Sequence, residues 1–205
     1  MKIGIMGGTF NPIHNGHLSL ANAALTQYML DEVWFMPSGL PAHKANDELL
    51  PPDIRLQMVE LAIQEKENFK ASAFEIVREG FTYTADTMVA LAKKYPEAEF
   101  YFIIGGDSLM KFHKWVRPEV ISAHTKLLAA GRNGYTKEEL LSQSEYLKKQ
   151  FGTKVLFLDM PELIIASNEI RSFSKMQQYD AIKEMVPNAV FEYITENQLW
   201  KCPTN

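Results

Sequence analysis

The chain has 205 residues, 46% of them hydrophobic and 22% charged, with a formal net charge of −4. This is the composition of an ordinary globular protein with a full core, and the mild negative charge offers no broad basic surface to a nucleic acid backbone. The single cysteine, Cys202, has no disulfide partner in the chain, and no apolar run reaches the roughly 20 residues that cross a bilayer. The apolar run at residues 2–6 is too short for a signal peptide, so we expect a cytoplasmic protein.

Short apolar runs alternate with helical patterns in the first half of the chain. The predicted strands cover residues 2–6, 32–37 and 70–77. The predicted helices cover residues 17–29, 52–66 and 84–95, with apolar positions 54, 58, 61 and 62 on the second and Thr84 as a candidate cap of the third. Residues 38–52 are rich in proline and polar side chains and predict a long loop.

The second half of the chain continues the alternation. Its predicted strands cover residues 99–105, 125–131 and 154–159, and Thr136 with Glu139 forms a capping box for a helix to about residue 149. A short helix or turn is predicted at 107–115, and helices from 166 onward. The pattern predicts an α/β, Rossmann-like open parallel sheet with helices on both faces and a small C-terminal helical segment. We expect one domain over residues 1–205, with a C-terminal helical part at about 166–205.

Glycines, hydroxyls and basic groups concentrate in the loops that follow the predicted strands. Parallel sheets bind ligands at these carboxyl ends, so these loops are the candidate site. The first, GGTFNPIHNGH, offers two adjacent glycines and the start of a helix, a combination that suits phosphate. It is neither a Walker loop, since it lacks GK[ST], nor a GxGxxG loop. A glycine-rich turn closed by Asn11-Pro12 is the plainer interpretation.

Two histidines in this loop favour a ligand site over a plain glycine-rich turn. If the helix begins near Asn15, His14 and His17 lie on one side of it, because three residues make nearly one turn. A zinc pair is disfavoured, since no third ligand has a clear spacing and the only cysteine is remote. A capping or core role would suit one histidine better than two.

The first loop resembles the signature of the bacterial nicotinate-nucleotide adenylyltransferases, within a nucleotidyltransferase superfamily whose shared core is [HT]xGH. Residues 14–17 fit that core. Five further segments resemble the family's motifs in the same order: PAHK (41–44), EIVREGFTYTADT (75–87), GGDS with HKW (105–108 and 113–115), GRNGY (131–135) and SNEIRS (167–172). Several ordered motifs are far more specific than any one of them.

The resemblance implies adenylyl transfer from ATP to nicotinate mononucleotide, giving nicotinate adenine dinucleotide and pyrophosphate in NAD biosynthesis. The implied catalytic residues are His14, His17, Lys44 and Arg171. The implied ATP-binding residues are Gly8, Thr9, Phe10, His14, His17, Gly105, Asp107, Ser167 and Arg171. The implied mononucleotide-binding residues are Thr9, Phe10, His43, Lys44, Tyr83, Thr84 and Trp115. Mg²⁺ is expected to be carried mainly by ATP, with no dedicated protein metal site.

The last motif departs from the family pattern, because Ala166 and Asn168 stand where hydroxyl side chains are expected. Ser167 and Arg171 are kept, and asparagine is a good helix N-cap, so triphosphate binding is still expected. Phosphopantetheine adenylyltransferases share the core motif but are usually shorter and lack the TYT and HKW features. Cytidylyltransferases share the core motif too. Preference for nicotinamide mononucleotide and a homo-oligomer stay open alternatives. The presence of His14, His17, Lys44 and Arg171 together argues against a nucleotide-binding sensor without turnover.

Overall fold

A computed structural model describes residues 1–39, 48–78, 80–131, 134–161 and 165–201. Six strands form one sheet in the order β3-β2-β1-β4-β5-β6. Their bounds are β1 Lys2–Gly8, β2 Glu32–Pro37, β3 Phe69–Ala71, β4 Glu99–Ile104, β5 Lys126–Ala130 and β6 Val155–Leu158. The pairs β1–β4, β4–β5 and β5–β6 are parallel, with Ile5 opposite Phe102 and Phe102 opposite Leu127. The predicted open α/β sheet is therefore confirmed.

Helices connect the strands and follow the last one. Within the described residues they are α1 Asn15–Gln27, α2 Pro52–Ile63, α3 Thr84–Lys94, α4 Gly106–Lys111, α5 Pro118–His124, α6 Lys137–Phe151, α7 Ser167–Lys175, α8 Tyr179–Lys183 and α9 Asn188–Glu196. A single 3₁₀ turn, Phe112–Lys114, follows α4. None of the helices in the described part of the chain is both long and apolar enough to cross a membrane.

The strand order reverses between β1 and β4. After β1 the chain builds outward to β2 and β3 on one side, whereas β4, β5 and β6 build outward on the other. The carboxyl ends of the adjacent strands at such a reversal are where open α/β sheets bind ligands. The loops that leave β1 and β4 therefore begin at the edge where a ligand is expected.

The chain divides into two compact units. The first unit comprises Met1–Gly7, Leu20–Trp34 and Thr82–Glu162. Its core contains the inner strands, whose apolar run Phe100–Ile104 is at most 5% exposed. In the same unit α3 packs against α5, and Arg117 donates a hydrogen bond of 2.5 Å to Asp86. The predicted capping box of α6 is confirmed, since Thr136 accepts from the Glu139 backbone N–H and the Glu139 carboxylate accepts from that of Thr136.

The second unit comprises Gly8–Ser19, Phe35–Phe81 and Leu163–Asn205. In it α2 packs against β3 and α9, and α7 packs against α8. The apolar contribution of α2 comes from Met58, Val59, Ala62 and Ile63, all of them buried. The expectation of one domain over residues 1–205 stays a prediction.

Two local predictions were wrong, and one helix was not predicted. The strand predicted at 70–77 is only β3, because the chain turns after it, with the N–H groups of Ile76 and Val77 both donating to the Ala73 carbonyl. Thr84 is the first residue of α3 and Tyr83 is its N-cap, with no side-chain capping hydrogen bond. Helix α5 was missed, although a proline at its first position is a helix-start signal.

Candidate active site

The residues predicted for the site fall into two groups, one in each unit. In the second unit lie Gly8, Thr9, Phe10, His14, His17, Ser167 and Arg171. In the first unit lie Tyr83, Thr84, Gly105, Asp107 and Trp115. His43 and Lys44 lie outside the described residues.

The loop after β1 is anchored by an aromatic side chain. Phe10 has a positive φ of 49° and is 2% exposed. Its ring lies 6.0 Å from that of Phe35 and 5.1 Å from that of His17, edge to face. A Cβ added at Gly8 would stand 3.1 Å from the Phe10 ring, closer than ordinary contact. A side chain at position 8 would therefore crowd the Phe10 ring, which packs against this part of the loop.

His14 and His17 form a stacked pair at the start of α1. Their ring centroids are 3.7 Å apart and the ring planes are inclined by 29°. Helix α1 begins at Asn15, whose N–H donates to the Met185 carbonyl at 2.9 Å. The expectation that the two imidazoles lie on the same side of the helix start is confirmed.

His14 is the more buried of the two. It is 7% exposed, and its Nδ1 is buried without a hydrogen-bond partner among the described residues. Burial lowers the pKa of His14 to about 4, so its imidazole is neutral at pH 7. A Cβ added at Gly16 would stand 3.1 Å from this Nδ1. The glycine of the HNGH motif thus makes room for the first histidine.

A backbone hydrogen bond fixes the tautomer of His17. The N–H of His14 donates to the Nδ1 of His17 at 3.2 Å. An imidazole nitrogen that accepts a hydrogen bond carries no proton, so the proton of neutral His17 resides on Nε2. The motif therefore presents an Nε2–H donor at His17, which suits a phosphate oxygen.

Helix α7 places Ser167 and Arg171 against the first loop. The Ser167 hydroxyl donates to the Pro12 carbonyl at 2.9 Å, and Nη1 of Arg171 donates to the Asn11 carbonyl at 2.9 Å. The N-cap is Ala166, and no side chain caps the helix. Asn168, which we expected to be able to cap, is the second helical residue instead. The first-turn N–H groups of α7 thus receive no capping side chain, which favours binding of an anion there.

Arg55, which the sequence analysis did not single out, holds the second unit's loops together. It is 0% exposed and donates to four backbone carbonyls: Leu50 at 3.0 Å, Thr9 at 2.7 Å, Ser38 at 2.7 Å and Gly39 at 3.0 Å. Burial lowers the pKa of its guanidinium, an effect that Asp53 partly opposes, but arginine keeps its charge in proteins.

A helical-face signal could have identified Arg55. The buried positions of α2 are 55, 58, 59, 62 and 63, the i, i+3, i+4, i+7, i+8 pattern of a core-facing stripe. An apolar stripe that starts at Ile54 misses this face, because Ile54 is only partly buried and the buried stripe begins at position 55. A cation on the core face of a helix requires buried acceptors, and backbone carbonyls from flanking loops supply them here.

The first unit presents a separate set of site residues. Gly105 is the N-cap of α4, and the exposed Asp107 lies in its first turn. Trp115 is half-buried, with its ring 5.3 Å from that of Phe112 and 5.9 Å from that of Phe102. The indole is therefore supported by the core while part of it stays accessible, as a stacking surface requires. Tyr83 and Thr84 are likewise half-buried.

The same unit contains a cavity beyond the carboxyl ends of β5 and β6. Its volume is about 520 Å³, within the range of small-molecule sites. Tyr135, Lys137 and Asp159 contribute its polar groups, and Leu140, Leu141 and Phe157 contribute apolar surface. This is the sheet edge at which the GRNGY segment was expected to meet a ligand.

The described residues contain no group of three or more histidine, cysteine, aspartate or glutamate side chains suited to a metal ion. In the first loop the donors are two imidazoles, whereas Mg²⁺ prefers oxygen ligands. The carboxylate of Glu48, in the same unit, is bound by Arg171 and Lys175. This donor set fits a metal ion that is held by the phosphates of a nucleotide better than one held by the protein.

A family model described as cytidylyltransferase-like matches residues 5–193. The chain is 43% identical over 196 residues to a Lachnoclostridium phytofermentans protein named probable nicotinate-nucleotide adenylyltransferase, covering 96% of this chain and 97% of that one. It is 36% identical over 199 residues to a Clostridium acetobutylicum protein of the same name, with 97% and 98% covered. The chain therefore belongs to the cytidylyltransferase-like family and, within it, to the nicotinate-nucleotide adenylyltransferases.

A solved structure shares the fold. The Plasmodium falciparum nicotinic acid mononucleotide adenylyltransferase complexed with NaAD matches with a TM-score of 0.80, covering 97% of each chain, at 21% sequence identity. At that identity the likeness establishes the fold alone.

Proposed function

We propose that the chain transfers the adenylyl group of ATP to nicotinate mononucleotide, giving nicotinate adenine dinucleotide and pyrophosphate in NAD biosynthesis. The observation that carries this proposal is the stacked His14–His17 pair at the start of α1, behind the two glycines that end β1. Membership of the nicotinate-nucleotide adenylyltransferases supports the choice of both substrates.

The reaction requires positioning rather than a protein nucleophile. A 5′-phosphate oxygen of the mononucleotide attacks the α-phosphorus of ATP in line, a new P–O bond forms, and the bond from the α-phosphorus to the bridging oxygen breaks as pyrophosphate leaves. The attacking phosphate is already ionised near neutral pH, so no protein group has to remove a proton. Catalysis then consists of holding the two phosphates together and stabilising the charge that develops between them.

The two histidines are proposed to bind the α-phosphate. His17 donates from Nε2, because its Nδ1 is already the acceptor of a backbone N–H. His14 is neutral in the absence of nucleotide, and an adjacent phosphate would favour its protonated form. Both imidazoles are therefore proposed to act as donors to the charge of the transition state.

The triphosphate is proposed to lie against the first loop and the start of α7. The backbone N–H groups of Thr9 and Phe10 face phosphate oxygens beside Gly8, where the absence of a side chain allows close approach. The backbone N–H groups of the uncapped first turn of α7, beginning with that of Ser167, donate to β- and γ-oxygens, since the Ser167 hydroxyl already donates to the Pro12 carbonyl. Arg171, with Lys44 and His43, neutralises the leaving pyrophosphate.

The remaining predicted residues are assigned to the ribose and nicotinate ends. Gly105 and Asp107 take ribose hydroxyls, a role that suits an exposed carboxylate. Trp115 stacks on the pyridine ring, and Tyr83 with Thr84 contacts its carboxylate. The half-buried indole of Trp115, supported by Phe102 and Phe112, supports that assignment.

A divalent metal ion accompanies ATP in this family, and we assign it as Mg²⁺. The triphosphate would hold the ion, since Mg²⁺ dehydrates reluctantly and favours phosphate oxygens. When bound it would supply charge neutralisation of the leaving pyrophosphate, beside that supplied by Arg171. We keep the predictions that the chain acts in the cytoplasm and binds no nucleic acid.

The direct test measures pyrophosphate release from ATP and Mg²⁺ with three acceptors in parallel: nicotinate mononucleotide, nicotinamide mononucleotide and phosphopantetheine. We expect release with the nicotinate substrate and much less with the other two. Release only with phosphopantetheine, or no release with any acceptor, would refute the proposal. Equal release with both mononucleotides would refute the assignment of a carboxylate-specific pocket.

A variant tests the role of the histidine pair. His17→Ala is expected to reduce kcat by about a hundredfold or more, the usual effect of removing one donor to a transition-state oxyanion. His124→Asn, at the end of α5 and outside every predicted site, is the matched control and should retain wild-type kcat. Unchanged turnover in His17→Ala, with the control also unchanged, would contradict the role given to the first loop.

A further inference from the structure

The Glu48 carboxylate binds two cationic side chains on one face of α7, those of Arg171 and Lys175. Its Oε2 accepts a hydrogen bond of 3.0 Å from Nε of Arg171, and its Oε1 accepts a short one from Nζ of Lys175. Arg171 and Lys175 are four residues apart on the helix, so their side chains project from neighbouring turns of the same side. The two cations thus hold separate oxygens of a single anion.

The backbone of Glu48 is fixed as well. Its carbonyl accepts from Nδ2 of Asn11 and from Nε1 of Trp200, both at 2.9 Å. The position of Glu48 therefore depends on the first loop and on the C-terminal segment, and not on its ion pairs alone. A substitution that changes only the carboxylate leaves these backbone contacts in place.

The charges in this cluster do not balance. Arg171 and Lys175 supply two positive charges against one carboxylate. Lys175 first, and Arg171 second, lower the pKa of the Glu48 carboxyl, so the carboxylate is ionised at neutral pH. The arrangement has one feature of a phosphate site, because two cations bind separate oxygens of one anion. Arg171 lies about one turn from the uncapped start of α7, and Lys175 is the last residue of the helix.

We propose that Lys175 joins Arg171 in binding the polyphosphate of ATP, and that the Glu48 carboxylate occupies this cation pair in the absence of nucleotide. The inference rests on the proposed function for the identity of the anion. Binding of the polyphosphate then requires that the Glu48 carboxylate withdraw from both cations. Glu48 weakens ATP binding, whereas Lys175 strengthens it.

Opposite effects of two substitutions test the proposal. The dissociation constant of tripolyphosphate is measured by calorimetry at fixed ionic strength, without metal ion and without the acceptor. Glu48→Gln is expected to tighten binding by about fivefold, and Lys175→Gln to weaken it by about tenfold, the effect of one phosphate ion pair. The matched controls are Glu196→Gln and Lys183→Gln, exposed residues of the same unit, which should each change binding by less than about twofold.

The direction of the Glu48→Gln effect separates competition from a structural role. A residue that only supported the loop would weaken binding when changed, and only a competing anion makes binding tighter when it is removed. Unchanged or weaker binding in Glu48→Gln would overturn the proposal, as would unchanged binding in Lys175→Gln or no binding of tripolyphosphate by the wild type.

The same experiment distinguishes this inference from the proposed function. Tripolyphosphate binding needs neither turnover nor the mononucleotide. A chain that binds tripolyphosphate with the expected variant pattern, yet releases no pyrophosphate from ATP and nicotinate mononucleotide, would refute the proposed reaction and leave the cation pair supported. Normal turnover of ATP and nicotinate mononucleotide, with unaltered affinity for tripolyphosphate in both variants, would support the proposed reaction and refute the cation pair.

Discussion

Arg55→Met should destabilise the second unit severely. The substitution keeps the volume of the side chain and removes its charged donors, leaving the carbonyls of Thr9, Ser38, Gly39 and Leu50 without them. A buried polar group that loses its partner costs roughly 1–3 kcal/mol. Taking the low end for each of the four gives a loss of about 4 kcal/mol. That is a large share of the roughly 5–15 kcal/mol that stabilises a typical domain.

Urea unfolding, extrapolated linearly to water, measures this loss. Arg117→Met is the matched control, because Arg117 makes one exposed ion pair with Asp86 and should lose less than about 1 kcal/mol. Arg55→Lys keeps the charge but not the planar fork, so an intermediate loss is expected. If Arg55→Met lost no more than the control, the four hydrogen bonds would not be what fixes these loops, and the reasoning would be wrong.

Two further predictions concern helix ends. The pKa of His14 is about 4 in the folded chain and near 6.5, the ordinary histidine value, in the unfolded chain. Between these two pH values His14 is protonated in the unfolded chain and neutral in the folded chain. The free energy of unfolding should therefore fall by about 2 kcal/mol from pH 7.5 to pH 5. His14→Gln should remove that part of the pH dependence, and an unchanged pH profile in this variant would contradict it. Ala166→Ser gives α7 an N-cap side chain, and should raise stability by about 1 kcal/mol and Tm by about 2–4 °C. An unchanged or lower Tm would show that the first turn of α7 does not accept a cap.

Short-range sequence signals determined the strands and helices and, within the candidate site, the placement of the histidine pair. The period of the apolar residues, the capping box at Thr136 and the strand-ending glycines are short-range signals, and they predicted the alternation of strand and helix that forms the sheet. The spacing of His14 and His17 predicted that both imidazoles lie on one side, because three residues make nearly a full helical turn.

Tertiary structure decided which polar groups hold these elements in place. Arg55 meets carbonyls up to 46 positions away, and Glu48 meets Arg171 across 123 positions, distances over which no local pattern carries information. The tautomer of His17 and the lowered pKa of His14 likewise depend on a hydrogen bond and on burial that exist only in the folded chain. The sequence thus specified where donors and cations occur, whereas only folding determined which acceptor each of them contacts. The physical reason is that a buried polar group needs a hydrogen-bond partner, and here the partners are distant along the chain.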